Sequence, residues 1–358
     1  MTTNTITTLC AAISAPDSAL LPAIRHAIDH KTKPLGALGQ LERVAEQLCL
    51  IQQSLQPQIR RPQMAVFAAD HGVAAEGVSA FPQAVTAQMV HNFLAGGAAI
   101  NCFCSTLGWQ LAVVNAGVAA PLPNHHALIE RAVVCGTANL AVEAALTPTQ
   151  CDSALLAGAA LAEGWASAGS NLLSCGEMGI ANTTTAAALL AALTGWSADD
   201  CVGRGTGIDD LALARKRHAV NRGLARLPAG ADPIRVLAEV GGAEIAMMAG
   251  AMLGAARQRM AILVDGFIAT VAALVAVRLA PASRSYMLFG HCSAEGAHRR
   301  LLDHLGGRPL LQLELRLGEG TGAALALPLL QCAAAFMTNM ASFADAGVAQ
   351  GEAVECLR

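Results

Sequence analysis

The sequence predicts an α/β fold, an open parallel sheet with helices on both faces. Three observations predict it. Short apolar runs alternate with longer Ala- and Leu-rich runs at helical spacing. Each short run ends on Gly or an acidic residue, where a strand would turn into a helix. The composition is 54 % hydrophobic but only 3 % aromatic, with Ala and Gly supplying much of the bulk, which suits helices packed closely against a buried sheet. A chain of 358 residues allows one large domain of this kind, or a large one with a small companion.

In chain order, residues 15–55 read as helical, because Leu38, Leu41, Val44, Ala45, Leu48 and Ile51 recur at three and four to give one apolar face. Residues 56–63 are polar, with Pro57 and Pro62, and mark a boundary. Beyond it, strands are expected at 64–69, 111–115, 172–174, 261–264, 286–289 and 311–317. Ligands of an open parallel sheet bind beyond the carboxyl ends of its strands. The residues that follow these runs are Asp70-His71-Gly72, Gly176-Glu177-Met178-Gly179, Asp265-Gly266, Gly290-His291-Cys292-Ser293 and Gly318-Glu319-Gly320. Carboxylates and glycines therefore converge on one crevice.

Several function classes are disfavoured. The net charge is −3 with both signs interspersed, so there is no basic stripe for nucleic acid. Eleven cysteines, without a C-x-x-C pair, fit reduced thiols in a cytoplasmic protein rather than a zinc site or a disulfide framework. Residues 178–198 and 321–344 lack charge and have the length of a membrane span. Asn182 and Thr183–Thr185 in the first, and Pro328, Gln331, Asn339 and Ser342 in the second, make buried helices the better reading. The N-terminal stretch has no basic region before an apolar core and does not read as a secretory signal.

Five constellations could carry chemistry. A carboxylate between glycines, Gly318-Glu319-Gly320-Thr321-Gly322, suits a base with little side-chain cover; the bland reading is a tight turn with a solvated acid. The pattern Gly318-x-Gly320-x-x-Ala323 also satisfies a dinucleotide fingerprint, but it lacks the downstream acid and too little chain follows it. Gly176 to Thr184 runs from a strand into a helix that Asn182 or a following Thr can cap, an anion site or simply a capped helix. Gly203-Arg204-Gly205-Thr206-Gly207 is a glycine-rich loop entering the helix of Lys216, a phosphate cradle or a plain connector. Asp70-His71 has no nucleophile elbow to serve, so a structural role for His71 is favoured. The loop 77–83, with Phe81 beside Pro82, is a lid for a flat ligand or a loop tucked onto the core.

Together these segments resemble one family, nicotinate-nucleotide:dimethylbenzimidazole phosphoribosyltransferase, from the lower-ligand branch of cobalamin synthesis. The matching stretches are KPLGALGQLERVAEQL (33–48), ADHGVAAEGVSAFPQAVTAQMV (69–90), GEMGIANTTTAAALL (176–190), GRGTGIDD (203–210), LVDGFIAT (263–270), GHCSAEGAH (290–298) and LRLGEGTGAALALPLL (315–330). They occur in order and cover most of residues 33–345.

The resemblance implies a Rossmann-like sheet at 61–329, and a smaller helical domain from both chain ends, 1–60 and 330–358. It implies a homodimer that uses no metal or other cofactor, and small-molecule substrates. Glu319 would be the catalytic base, with Glu177 in the same site. The sugar phosphate would be held by Gly176, Gly203, Gly205, Lys216, Asp265, Gly266 and Ser293, with the helix start at Asn182, Thr183 and Thr184. The acceptor base would lie against Ala80, Phe81, Gln88, Met178 and Leu317. Family members place Tyr where Phe81 stands; Phe keeps the flat face but lacks the hydroxyl. Two rival readings share the fold: a non-catalytic nucleotide-binding subunit, and another nucleobase transferase with a different slot at Phe81.

Overall fold

The computed structural model describes residues 5–205 and 207–349. Thr206 in the glycine-rich loop, and 350–358 of the expected smaller domain, lie outside the described residues.

The chain forms two compact units. The larger, built on residues 60–327, is a parallel sheet of seven strands among the described residues. They are β1 (Gln63–Ala69), β2 (Gln110–Gly117), β3 (Leu128–Glu130), β4 (Leu172–Met178), β5 (Ala261–Val264), β6 (Met287–His291) and β7 (Pro309–Leu311), in the spatial order β3-β2-β1-β4-β5-β6-β7. All pairings are parallel. Every residue of β1, β5 and β6 is buried, so both faces of the central sheet are covered, as uninterrupted apolar runs require. The edge strands β3 and β7 are only partly buried.

Small residues let the covering helices approach closely. Helix Pro148–Ser167 lies along helix Ala243–Arg257, and a Cβ on Gly158 or Gly250 would overlap backbone carbonyls of the facing helix. The low aromatic content is thereby explained: the core is filled by backbone proximity rather than by large side chains. Helix Thr321–Asn339 is long and apolar enough to cross a bilayer, but 56 % of its apolar 18-residue stretch is buried, as in a core helix.

The smaller unit comprises residues 16–59 and 328–349. Helix Leu21–Asp29 packs on helix Gln40–Gln52, with Ile24, Ile28, Val44 and Leu48 buried, and Lys33 pairs with Glu42 at 2.8 Å. The sequence assigned residues 1–15 to this unit, but the described ones, 5–15, belong with the sheet. Helix Ile6–Ala11 buries Ile6 and Leu9 against the Pro148–Ser167 and Ala243–Arg257 helices, and Ser14 O accepts a hydrogen bond from Tyr286 Oη at 2.8 Å.

Three strands differ from expectation. β4 runs on to Met178, so Gly176 and Glu177 lie within the ladder, opposite Val66 and Phe67. β3 was missed because it is only three residues long. The run 311–317 alternates Leu with polar residues like a half-buried strand, yet only Leu311 joins the sheet. Glu314 takes a left-handed backbone (φ 57°), and Leu313 and Leu317 are exposed. The segment runs alongside the end of β6, with Cys292 N donating to Leu311 O and Ala294 N to Leu315 O.

Candidate active site

The chain order reverses between β1 and β4, and at such a switch point the loops leaving the strands diverge to open a crevice. A cavity of about 330 Å³ lies at the carboxyl ends of β4, β5 and β6. β4 contributes Glu177 and Met178, the turn after β5 contributes Asp265 and Gly266, and the end of β6 contributes His291 and Ser293. The turn before helix Thr321–Asn339 brings Leu317, Gly318 and Glu319.

That turn sits on β4 by shape. Gly318, Glu319 and Gly320 all take positive φ (87°, 62° and 91°). For Glu this conformation is strained, and it persists only where the surroundings impose it. A Cβ on Gly176 would overlap the Glu319 carbonyl, and one on Gly318 would overlap Glu177 Oε1. The two glycines thus let two carboxylates approach across the β4 surface.

Glu319 is 5 % exposed and accepts a hydrogen bond from the Ile100 amide at 3.4 Å. Ile100 is the second residue of helix Ala99–Leu107, so the acid faces the positive end of a helix. Burial still dominates and raises its pKa, with the Ile100 amide opposing and Asp265 adding to the rise. Glu177 is pushed further, to about 8, by burial first and then by Glu244, Asp265 and Glu319, although Asn182 Nδ2 donates to its carboxylate. Asp265 Oδ1 accepts the Ala323 amide at 2.8 Å and faces His291 Nε2 at 3.5 Å, fastening β5 and β6 to the helix that follows Glu319.

The opposite corner is cationic. Lys216 is 1 % exposed, and its Nζ donates to Thr183 Oγ1 at 2.8 Å and to Gly203 O at 3.1 Å. Burial lowers its pKa to about 8, with Glu295 acting the other way. Helix Asn182–Thr194 begins here behind Ala181, whose backbone is left-handed (φ 73°) and whose side chain offers no cap. The expected cap by Asn182 or a following Thr is not made: Asn182 serves Glu177, Thr183 serves Lys216, and Thr184 Oγ1 is buried without a partner.

Of the residues singled out from sequence, Phe81, Glu177, Met178, Asn182, Thr183 and Gly205 line this cavity. So do Asp265, Gly266, Ser293, Leu317 and Glu319. Lys216 and Gly203 stand directly behind Thr183 and Gly205. Gly176 lies in the sheet beneath Glu319, and Thr184 points into the core. Ala80 and Gln88 are exposed and off the cavity wall; on helix Val85–Leu94 it is Val85 and Met89 that line it. His71 is fully buried outside the cavity, with Nε2 2.9 Å from Glu244 Oε1 and Nδ1 3.0 Å from Thr185 Oγ1, and does not pair with Asp70. Sequence reasoning missed His291, Glu295 and Arg316 on the wall. The first two lie inside the 290–298 motif and Arg316 inside the 315–330 motif, so each was marked by its segment but not singled out as a wall residue.

A family model described as phosphoribosyltransferase matches residues 13–348. A nicotinate-nucleotide–dimethylbenzimidazole phosphoribosyltransferase from Cupriavidus necator is 57 % identical over 336 residues, covering 94 % of this chain and 97 % of that one. The chain belongs to the nicotinate-nucleotide–dimethylbenzimidazole phosphoribosyltransferase family. Another member, from Vibrio cholerae, is 53 % identical over 338 residues, 93 % of this chain and 99 % of its own. The solved structure of CobT from Thermus thermophilus superposes with a TM-score of 0.91 at 49 % identity, covering 93 % of this chain and 99 % of that one. Like the other members of this phosphoribosyltransferase family, the chain is a transferase.

Proposed function

We propose that the enzyme transfers the phosphoribosyl group of nicotinate mononucleotide to 5,6-dimethylbenzimidazole, giving α-ribazole 5′-phosphate and nicotinate, with Glu319 as general base. The observation that carries this reading is the pairing, in one cavity, of two buried carboxylates with a cationic corner at Lys216 and Thr183. Membership of a family whose relatives carry this reaction in their names supports it.

One benzimidazole nitrogen attacks C1′, the C1′–N bond to nicotinate breaks on the opposite face, and configuration inverts from β to α. Nicotinate leaves with the bonding pair and becomes a neutral pyridine ring, a good leaving group without assistance from a Lewis acid. The attacking ring becomes cationic unless its other nitrogen loses its proton, and Glu319 takes that proton. An acid whose burial raises its pKa is a stronger base than a solvated one, and the Ile100 amide keeps it available in the ionised form. The transition state resembles an oxocarbenium ion. A cation there favours the ionised form of Glu177, which stabilises it in turn.

The phosphate sits in the corner of Lys216, Thr183, Gly203 and Gly205, and the flat acceptor between Phe81, Met178 and Leu317. The same reading includes a cytoplasmic homodimer working in cobalamin nucleotide-loop assembly. Incubation with nicotinate mononucleotide and a panel of benzimidazoles, purines and phenols, read by mass spectrometry and by NMR of the anomeric proton, tests the reaction. Formation of α-ribosides with release of nicotinate is expected. A β-anomer, or no transfer to any benzimidazole, would overturn it.

A further inference from the structure

His298 closes the 290–298 motif, is fully buried, and stands behind the cavity rather than on its wall. Its hydrogen bonds determine its tautomer. Ser293 N donates to Nδ1 at 2.9 Å, so Nδ1 is an acceptor and the ring proton is on Nε2. Nε2 then donates to Thr270 Oγ1 at 3.0 Å, and Thr270 Oγ1 donates to Gly266 O at 2.8 Å. One neutral imidazole therefore ties the turn after β6 to the turn after β5. Those turns meet in the cavity, since a Cβ on Gly266 would be 3.7 Å from the Ser293 Cβ.

The ring is kept neutral by its surroundings. Burial, His291 at 6.1 Å between ring centroids, and Arg299 together lower its pKa to about 3, while the edge of Phe267 packs beside it. Ser293 Oγ is also 2.9 Å from Nδ1 and accepts the Glu295 amide at 3.4 Å. Nδ1 has one lone pair, which the backbone N–H and the hydroxyl of Ser293 share. An arriving anion can take the hydroxyl while the backbone bond still holds the loop.

We propose that His298 is a positioning residue for the donor nucleotide: as the Nε2–H tautomer it holds Gly266 and Ser293 at the spacing the sugar phosphate requires. This rests on the reading that Ser293 and Gly266 meet that group. An ordinary core histidine would supply packing and stability. This one couples two turns of the cavity through both of its nitrogens, so its loss should register in donor affinity.

The test varies nicotinate mononucleotide at saturating benzimidazole for Ser293→Ala, His298→Ala, His298→Asn and the Ser293→Ala/His298→Ala double variant. Ser293→Ala and His298→Ala should each raise KM for the nucleotide about tenfold, the loss expected for one hydrogen bond to a charged group. The kcat should change less than about threefold. His298→Asn offers an acceptor near the Nδ1 position and should recover part of the loss. On the Ser293→Ala background, His298→Ala should add less than about threefold, because both act through one loop. If Ser293→Ala leaves KM unchanged, the donor-site reading fails and this proposal with it. If Ser293→Ala raises KM but a folded His298→Ala does not, or the two effects multiply in full, only the proposal fails. Should His298→Ala not fold, 15N NMR of the wild-type imidazoles decides. A neutral Nε2–H signal, assigned by its absence in His298→Asn and shifted by the nucleotide, is expected; an Nδ1–H tautomer, or no response, would overturn it.

Discussion

The Glu177 carboxylate lies directly beneath Gly318, so closely that a Cβ on that glycine would overlap Oε1. Gly318 also holds φ at 87°. Gly318→Ala therefore meets a left-handed penalty of roughly 1–2 kcal/mol together with a steric overlap. It should lower the melting temperature and reduce kcat at least about tenfold by moving Glu319. Thermal melts and initial rates measured together check this; wild-type kcat in the variant would show that the turn does not set the position of Glu319.

Glu319→Gln keeps the size of the side chain and removes the proposed base. Its kcat should fall by roughly 10²–10⁴-fold, the usual range for one general base. Binding of nicotinate mononucleotide should be nearly unchanged, because the proposed phosphate corner, at Thr183 and the Lys216 behind it, is apart from Glu319. Adding Glu177→Gln should lower the rate further. Single-turnover rates beside calorimetric titrations separate the two effects, and turnover near wild type in Glu319→Gln would pass the role to Glu177 or to water.

The raised pKa of Glu177 makes stability depend on pH. The folded chain holds the proton up to about pH 8, whereas the unfolded chain releases it near 4.5. Between those values the folded state binds more protons, so this group's contribution to stability falls as pH rises through the window. Glu177→Gln should flatten that part of the profile and be more stable than wild type above pH 8. Denaturant titrations from pH 5 to 9 measure it; parallel curves for the two proteins would contradict the assignment.

Lys216→Ala should raise KM for nicotinate mononucleotide by about tenfold or more, as for loss of a charge-assisted hydrogen bond. Burial holds the Lys216 ammonium pKa down to about 8. Nucleotide affinity of the wild type should therefore weaken as pH rises through 8, and the variant should lose that dependence. Titrations at pH 7 and 9 test both statements.

The proposed acceptor slot is lined by Phe81, Met178 and Leu317, and the first and last are 49 % and 56 % exposed. An open apolar slot reads shape weakly, and one methylene discriminates by roughly 10–200-fold. Benzimidazole and singly substituted analogues should be accepted alongside dimethylbenzimidazole, and Phe81→Ala should raise KM for all of them. Competition assays check this; selection of one base by more than about a thousandfold would reveal polar readout that these side chains do not provide.

The sequence by itself determined the central strands of the parallel sheet and about half of the cavity wall. Short apolar runs alternating with helical ones read as central parallel strands, and the carboxylates and glycines near their carboxyl ends gather at one edge, where Glu177, at the end of β4, meets Asp265, Ser293 and Glu319. Only the tertiary structure decided the partners. Asp70 and His71 are neighbours in sequence just past the end of β1, where His71 keeps an extended backbone (φ −122°, ψ 121°), and His71 finds Glu244, far away in the chain. The 311–317 alternation looked like a strand, yet at the sheet edge the run past Leu311 had no further strand to pair with, and the chain bends at Glu314. Nothing local in the sequence marks Lys216 as buried, yet packing sets its Nζ against Thr183 and Gly203. Periodicity reports how one segment meets solvent; which buried charge faces which depends on segments brought together from far along the chain, and no local pattern encodes that.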